Sequence, residues 1–272
     1  MHVRVQISAV VLAAAAAALG AGCGGASRTG TAPRSTAERT TAPPITAAPT
    51  TGATATRTCV PGSKVALGSA KRSYAAVVKR RLRAYREPGR RPFATFGHMN
   101  VNGVPTVLGI LGERVDARCR PVWFHVELPV RPNGATGWVP ARAVAVGSVR
   151  TRILVDVSER LVTLLRDGKP VLRTRAAVGS RATPTPLGRY YVNQRLVPQD
   201  ASGPYGPGAI GISAYSNVLT GWAQGGPIAI HGTDAPSSIG HAVSNGCIRV
   251  HNPVLVRIFR STLAGTPVII RR

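Results

Sequence analysis

One stretch near the C-terminus, residues 228–252, constrains this chain more than any other segment. A short apolar run ends in His231, a loop rich in Gly, Ser and Pro follows, and residues 244–249 then read Ser-Asn-Gly-Cys-Ile-Arg. Sixteen positions separate His231 from Cys247, which is enough chain for a loop to bring the two side chains together. Cysteine attacks as its thiolate, and a neighbouring histidine can take up the thiol proton and provide a nearby positive charge. The stretch therefore predicts a Cys–His catalytic pair.

The motifs in this stretch resemble the signature of the L,D-transpeptidase catalytic domain, the YkuD-type family. The matching residues are His231-Gly232-Thr233, Ile239-Gly240 and Ser244-x-Gly246-Cys247-Ile248-Arg249. The resemblance implies that Cys247 is the nucleophile and His231 its base. It also implies that Arg249 helps to hold the site or a substrate carboxylate.

The residues around this pair are the candidates for oxyanion or substrate binding. They are Ser244, Asn245, Gly246, Gly232 and Thr233. Successive backbone N–H groups of Asn245-Gly246-Cys247 could point at a developing oxyanion, with Gly246 permitting the tight turn. Family members often carry His where this chain has Asn245, so we expect only the backbone of Asn245 to take part.

Two other interpretations of these residues stay open. A lone cysteine near a lone histidine is more often structural than catalytic. The more specific alternative is a metal site made of His231, His241, Cys247 and His251. These residues are not spaced as the close ligand pairs that are typical of structural zinc sites. We therefore expect no metal and no organic cofactor. His241 is the second candidate for the base.

The resemblance extends over residues 150–272, where the pattern predicts mainly strands. Apolar runs at 153–157 and 161–165 with a turn at Asp167-Gly168 predict a hairpin series. Residues 183–188, Thr-Pro-Thr-Pro-Leu-Gly, match a Pro-Thr-Pro-x-Gly segment of the family that precedes a strand. Apolar residues at helical spacing predict a helix around 253–263, followed by a closing strand at 266–270.

Residues 58–148 alternate short apolar runs with turn residues, which is typical of short antiparallel strands. The segment 122–144 resembles the end of a bacterial Src-homology-3-like barrel. Only residues 73–85, by their Ala and Arg content, suggest an early helix. The fold class predicted is mainly β: a small β-barrel-like domain preceding a β-rich L,D-transpeptidase catalytic domain.

The N-terminus predicts export. Residues 1–23 read as a signal peptide, and Leu19-Gly20-Ala21-Gly22-Cys23 resembles a bacterial lipobox, although Gly20 occupies the usual Leu position. We expect lipidation of Cys23, with simple cleavage as the alternative. Residues 24–57 form a Thr/Ala/Pro/Ser tract that predicts a disordered tether. The chain is thus expected to be a membrane-anchored lipoprotein that faces the cell wall.

The formal net charge is +25, which usually suggests a nucleic-acid partner. The arginines, however, are scattered along the chain, with one dense cluster at residues 79–83, and aromatic residues are only 5%. No nucleic-acid-binding module is recognisable. We interpret the charge as suited to anionic polymers of the cell envelope rather than to a specific nucleic acid.

Two cysteines remain once Cys23 and Cys247 have been assigned, namely Cys59 and Cys119. Four cysteines allow three pairings. An exported protein meets an oxidising compartment, so a disulfide between Cys59 and Cys119 is the simplest arrangement. Two unpaired buried thiols are the alternative.

The resemblance implies an enzyme acting on peptidoglycan stem peptides. Cys247 would attack the diaminopimelate carbonyl of a donor tetrapeptide and expel D-Ala, and an amine of a second stem would resolve the thioester into a cross-link. One alternative is an L,D-carboxypeptidase, in which water resolves the thioester. The other is a non-catalytic wall-binding lipoprotein that works through its barrel.

Overall fold

The computed structural model describes residues 60–272. The predictions for the signal peptide, for lipidation of Cys23, for the tether at 24–57 and for Cys59 fall outside these residues and stay predictions. Among residues 60–272, no helix is long and apolar enough to cross a membrane.

The N-terminal part of the described chain is an antiparallel sheet. Its strands are β1 (Lys64–Ala66), β2 (Ser73–Val78), β3 (Arg81–Tyr85), β4 (Pro92–Gly97), β5 (Val107–Val115), β6 (Pro121–Glu127), β7 (Thr136–Pro140) and β8 (Val144–Val149). They lie in the order β4-β3-β7-β6-β5-β2-β8, and β1 pairs with β5. A core that includes Leu82, Leu108, Val126 and Val139 fills this domain. We call residues 60–149 the small domain; its likeness to Src-homology-3 barrels stays a prediction.

The expectation of a helix at residues 73–85 is wrong. The segment forms β2 and β3, because exposed Arg81 and Arg83 alternate with buried Leu82 and Ala84. This two-residue period places one side of the strand in the core, and it overrides the helix propensity of Ala and Arg. The dense basic cluster at 79–83 accordingly lies on a turn and on the exposed side of a strand.

The C-terminal part is built on a second sheet of eight strands. Its elements are β9 (Thr151–Asp156), β10 (Leu161–Arg166), β11 (Lys169–Arg175), β12 (Val178–Gly179), β13 (Gly188–Leu196), β14 (Ala209–Tyr215), β15 (Pro227–His231), β16 (Ala242–Ser244), β17 (Ile248–Arg249), α1 (Asn252–Ser261) and β18 (Pro267–Arg271). The sheet order is β11-β10-β9-β18-β13-β14-β15-β17, and β12 pairs with β16 separately. The predicted hairpin series, helix and closing strand are all present.

The pairing in this sheet is mainly antiparallel, with parallel pairs at β9–β18 and β15–β17. One side of the sheet packs on α1, whose Leu255 and Ile258 are fully buried. The two sheets contact each other through β5, β6 and β13, where Arg189 Nε lies 3.5 Å from Glu127 Oε1. The mainly β fold class is therefore confirmed.

Cys119 is disulfide-bonded, and its partner lies outside the described residues. The other cysteine of residues 60–272, Cys247, is free. The pairing of Cys119 with Cys59 in particular stays a prediction.

Candidate active site

The parallel pair β15–β17 brings Cys247 and His231 to one side of the sheet. Ile230 pairs with Ile248, and both side chains are fully buried in the core. Because side chains alternate along a strand, His231 and Cys247 both point to the opposite side. A strand spacing of about 4.8 Å and an offset of two residues separate their Cα atoms by roughly 8 Å, within reach of a thiol and an imidazole.

His231 is held in one tautomer. Its ring is 4% exposed, and Nδ1 lies 2.6 Å from the carbonyl oxygen of Gly232. A carbonyl oxygen only accepts hydrogen bonds, so Nδ1 carries the proton and Nε2 keeps its lone pair. The second nitrogen is therefore free to accept a proton from a thiol.

Burial lowers the pKa of His231 to about 4, and the charge of Arg249 acts in the same direction. The hydrogen bond with Gly232 and the charge of Asp234 act against this shift without reversing it. His231 is consequently neutral near pH 7. It can act as a base, but in the resting site it does not supply the positive charge that the sequence suggested.

Burial also raises the pKa of the Cys247 thiol, while a hydrogen bond with the backbone of Ala229 and the charge of Arg249 act to lower it. Both shifts disfavour charge, so the resting pair is a neutral thiol beside a neutral imidazole rather than a thiolate–imidazolium ion pair. Proton transfer must then accompany the attack on a substrate.

The turn before Cys247, residues 244–247, is braced by hydrogen bonds; we call it the catalytic turn. Ser244 Oγ donates to the carbonyl oxygen of Cys247 (2.6 Å) and accepts from the N–H of Gly246 (3.2 Å). Gly246 has φ +106°, a conformation that L side chains rarely adopt. The need for glycine agrees with the sequence prediction. The N–H of Gly246, however, is engaged inside the turn, which leaves those of Asn245 and Cys247 as the oxyanion candidates.

Two threonines that sequence reasoning did not assign to the site hold this turn from outside. Thr185 Oγ1 donates to the carbonyl oxygen of Gly246 (2.9 Å) and accepts from the N–H of Gly179 (2.8 Å). Thr183 Oγ1 donates to the carbonyl oxygen of Ser244 (3.0 Å). Both belong to the Thr-Pro-Thr-Pro segment, and that motif match was the signal that could have found them.

Gly232 and Thr233 lie behind the site rather than at its surface. A Cβ at Gly232 would overlap Asn252 Oδ1 and come within 2.9 Å of Pro207 Cδ. Thr233 is 3% exposed, its N–H donates to Asn252 Oδ1 (2.7 Å), and its Oγ1 accepts from the N–H of Ala235 (3.0 Å). These contacts indicate that both residues shape the chain after His231; the substrate-binding role expected of them stays a prediction.

Arg249 stands beside His231 in the register of β15 and β17. Its side chain is partly buried, and its Nε atom is buried without a hydrogen-bond partner. His241 and His251, by contrast, are exposed. Within residues 60–272, no three His, Cys, Asp or Glu side chains converge to hold a metal ion.

A cleft of about 520 Å³ opens at Cys247 and Asn245. Among the described residues that line it none is charged, although the chain as a whole is strongly basic. Its apolar lining includes Leu196, Leu219 and two half-exposed aromatic residues, Tyr205 and Trp222. The centroid of the Tyr205 ring lies 5.0 Å from that of the His231 imidazole, with an angle of 60° between the ring planes. Sequence reasoning missed both aromatic residues, because nothing local marks them as neighbours of Cys247.

A cysteine beside a neutral, oriented histidine, at a braced turn in an uncharged cleft, is an arrangement that can support cysteine-dependent acyl transfer. Residues 150–270 match the family model of YkuD, described as the L,D-transpeptidase catalytic domain. The predicted resemblance of this domain is therefore confirmed.

Curated relatives come from Bacillus. One of them is YkuD of Bacillus subtilis (strain 168), whose name gives L,D-transpeptidase as a provisional assignment. It is 35% identical over 120 residues, which are 44% of this chain and 65% of that protein. YkuD of Bacillus licheniformis is 36% identical over 119 residues, 44% of this chain and 64% of that protein. The chain thus spans less than two thirds of the length of the relatives it matches.

Solved structures are similar to part of this chain. The crystal structure of the Enterococcus faecium L,D-transpeptidase C442S mutant is 25% identical and covers 44% of this chain and 49% of that one, with a TM-score of 0.35. That of L,D-transpeptidase 3 from Mycobacterium tuberculosis is 17% identical and covers 53% of this chain and 77% of that one, with a TM-score of 0.38.

Proposed function

We propose that this protein is a peptidoglycan L,D-transpeptidase that cross-links stem peptides through a thioester on Cys247. The observation that carries the proposal is the register of β15 and β17, which puts the thiol and a neutral imidazole on one side of the sheet beside an open cleft. The family match over residues 150–270 supports the reaction class.

In the first half-reaction, Nε2 of His231 takes the proton of Cys247 as Sγ attacks the diaminopimelate carbonyl of a donor tetrapeptide. The N–H groups of Asn245 and Cys247 stabilise the oxyanion, each such donor contributing roughly 3 kcal/mol in enzymes of this type. The C–N bond to D-Ala then breaks, and the imidazolium returns its proton to the departing amine. The product is a thioester on Cys247.

In the second half-reaction, a side-chain amine of an acceptor stem attacks this thioester. His231 takes the proton of the attacking amine, and Cys247 leaves and is protonated again. A new amide joins the two stems. This chemistry needs no metal or organic cofactor.

Arg249 is the candidate partner for a substrate carboxylate. Its buried Nε donor lacks a partner, and a buried donor without an acceptor is costly unless a ligand supplies one. Its guanidinium can also stabilise negative charge near the thiol, since the charge of Arg249 already acts to lower the pKa of Cys247.

Mass spectrometry of the protein incubated with a disaccharide-tetrapeptide tests this function. We expect an adduct equal to the donor minus D-Ala, absent from Cys247→Ala, and a cross-linked dimer when an acceptor stem is present. Release of a tripeptide without dimer would identify an L,D-carboxypeptidase. No adduct and no D-Ala release would leave a wall-binding protein and refute the proposal.

We also propose that the protein is exported and anchored by a lipid on Cys23, with residues 24–57 as a tether and its basic surface facing anionic envelope polymers. The lipobox-like sequence and the net charge of +25 support this. Metabolic labelling with a fatty acid should mark the wild type but not Cys23→Ala.

If Cys59 pairs with Cys119, thiol counting on the denatured, unreduced mature protein should find Cys247 alone.

A further inference from the structure

One wall of the cleft is made by the connection between β14 and β15. We call residues 216–226 the cleft loop. It contributes Leu219, Trp222 and Gln224 to the lining of the cavity that contains Cys247. Apart from a single 3-10 turn at Ala223–Gly225 it has no regular secondary structure, so its shape depends on contacts made along its length.

Both ends of the cleft loop are held by one side chain of the small domain. Arg131 lies in the turn between β6 and β7, and its Nη2 donates to the carbonyl oxygens of Ser216 and Gly225, each at 2.7 Å. Its guanidinium also lies over the ring of Tyr215, 5.3 Å from the centroid. A single charged donor therefore joins the first and the next-to-last residue of the loop.

Asn133, in the same turn, holds the strand that enters the loop. Its Nδ2 donates to the carbonyl oxygen of Tyr215 (2.7 Å) and its Oδ1 accepts from the N–H of Tyr215 (2.9 Å). Nδ2 also lies 3.2 Å from Asn217 Oδ1. The paired contacts reproduce those of a neighbouring strand, and Tyr215 Oη adds a hydrogen bond to the carbonyl oxygen of Pro129 (2.9 Å).

The small domain also forms part of the cleft itself, through Asn102 in the connection between β4 and β5. Gln224 Nε2 donates to Asn102 Oδ1 (2.9 Å), and Asn102 Nδ2 donates to Gln194 Oε1 (2.8 Å). These three neutral amides link the small domain, β13 and the cleft loop. A second cavity of about 360 Å³ is also lined by these three residues and by both domains.

We propose that the small domain is a working part of the catalytic site: Arg131 and Asn133 are positioning residues that keep the cleft loop in its substrate-binding shape, and Asn102 is a residue of the cleft wall. A binding wall made of irregular chain needs outside partners to stay within the tolerance that catalysis requires. The identity of the substrate rests on the proposed function; the role of Arg131 and Asn133 in holding the loop does not.

The test compares Arg131→Ala, Asn133→Ala and Asn102→Ala with Arg142→Ala, an exposed arginine of the same domain, in the full mature protein. Amide hydrogen exchange is measured over residues 216–226 and over 244–249. We expect exchange in the cleft loop to rise by about tenfold or more in the first two variants, because each loses hydrogen bonds to backbone groups, and to stay unchanged in Arg142→Ala.

Kinetics provide the second readout. We expect KM for the donor stem to rise about tenfold in Arg131→Ala and Asn133→Ala, with a smaller change in kcat. Arg131→Lys should have a KM between those of Arg131→Ala and the wild type, because an ammonium can still donate to both carbonyls. Asn102→Ala should raise KM while leaving loop exchange nearly unchanged.

The outcomes separate the two proposals. If Arg131→Ala and Asn133→Ala keep wild-type melting temperatures, loop exchange and KM, the positioning role is wrong. If Arg131→Ala fails to fold, Asn133→Ala decides the question by the same measurements. If the wild type transfers no acyl group, the proposed function fails, and loop exchange still decides whether the small domain holds the loop.

Discussion

The catalytic turn at residues 244–247 and the cleft loop at residues 216–226 face the same cavity but are stabilised in different ways. The turn is held by its own domain, through Ser244 inside it and Thr183 and Thr185 outside it. The loop closes on itself through the N–H of Ser216, which donates to the carbonyl oxygen of Gly226 (2.8 Å), but its contacts from outside come from side chains of the small domain. The comparison indicates that Cys247, the proposed nucleophile, is positioned by the domain that carries the family motifs, whereas the proposed substrate wall also depends on the domain that precedes it.

The largest effect is expected from Cys247→Ala. Acyl-enzyme formation should disappear, because Cys247 is the one free cysteine among residues 60–272, while the melting temperature should change little since the thiol carries little packing. Mass spectrometry of the acylation mixture and a thermal melt check both parts. Both the catalytic turn and the cleft loop should keep their exchange rates. D-Ala release at the wild-type rate would exclude Cys247 as the nucleophile.

His231→Ala should lower the acylation rate by roughly 10²- to 10⁴-fold, the usual contribution of a positioned general base. His241→Ala is the matched control and should change the rate only severalfold, because His241 is exposed in a loop. Stopped-flow acylation rates measure both. A rate that depends on His241 and ignores His231 would transfer the role of the base.

The pKa of His231 makes a prediction about pH. Its pKa is lowered to about 4 in the folded protein, against about 6.5 when unfolded, so lowering the pH favours the unfolded state, which binds the proton more readily. The stabilisation is present above pH 6.5 and is lost as the pH falls toward 4, with a loss of up to about 3 kcal/mol. Denaturant titrations at a series of pH values give the free energy of unfolding of the wild type and of His231→Gln. Between pH 6.5 and 4 this free energy should fall more steeply in the wild type. Equal pH dependence in the two proteins would contradict the lowered pKa of His231.

Thr185→Val is the smallest of these changes and the sharpest test of the comparison. The substitution keeps the shape of the side chain and removes both hydrogen bonds of the hydroxyl, for an expected loss of about 1–3 kcal/mol in stability. Hydrogen exchange should increase over 244–247 and not over 216–226, the reverse of Arg131→Ala. Equal increases in both segments would show that they are one cooperative unit.

Much of this architecture could be predicted from the sequence because it depends on local pattern. Apolar runs at 153–157 and 161–165 predict strands, and helical spacing at 253–263 predicts α1. The apolar run that ends in His231 predicts a strand carrying a histidine at its end. The prediction for residues 73–85 was wrong because it relied on amino-acid content. The local pattern there, exposed Arg81 and Arg83 alternating with buried Leu82 and Ala84, indicates a strand.

The sequence by itself determined which residues the site contains: a cysteine, a histidine sixteen positions earlier, and the glycine that the turn requires. Only the tertiary structure decided how they work. The neutral state of His231 follows from burial, and burial depends on Tyr205 and on the packing of β15. The hydrogen bond from Thr185 to Gly246 and the contacts of Arg131 with the cleft loop likewise join residues far apart in the chain. Desolvation and long-range hydrogen bonds exist only once the sheets have formed, and no local pattern encodes them.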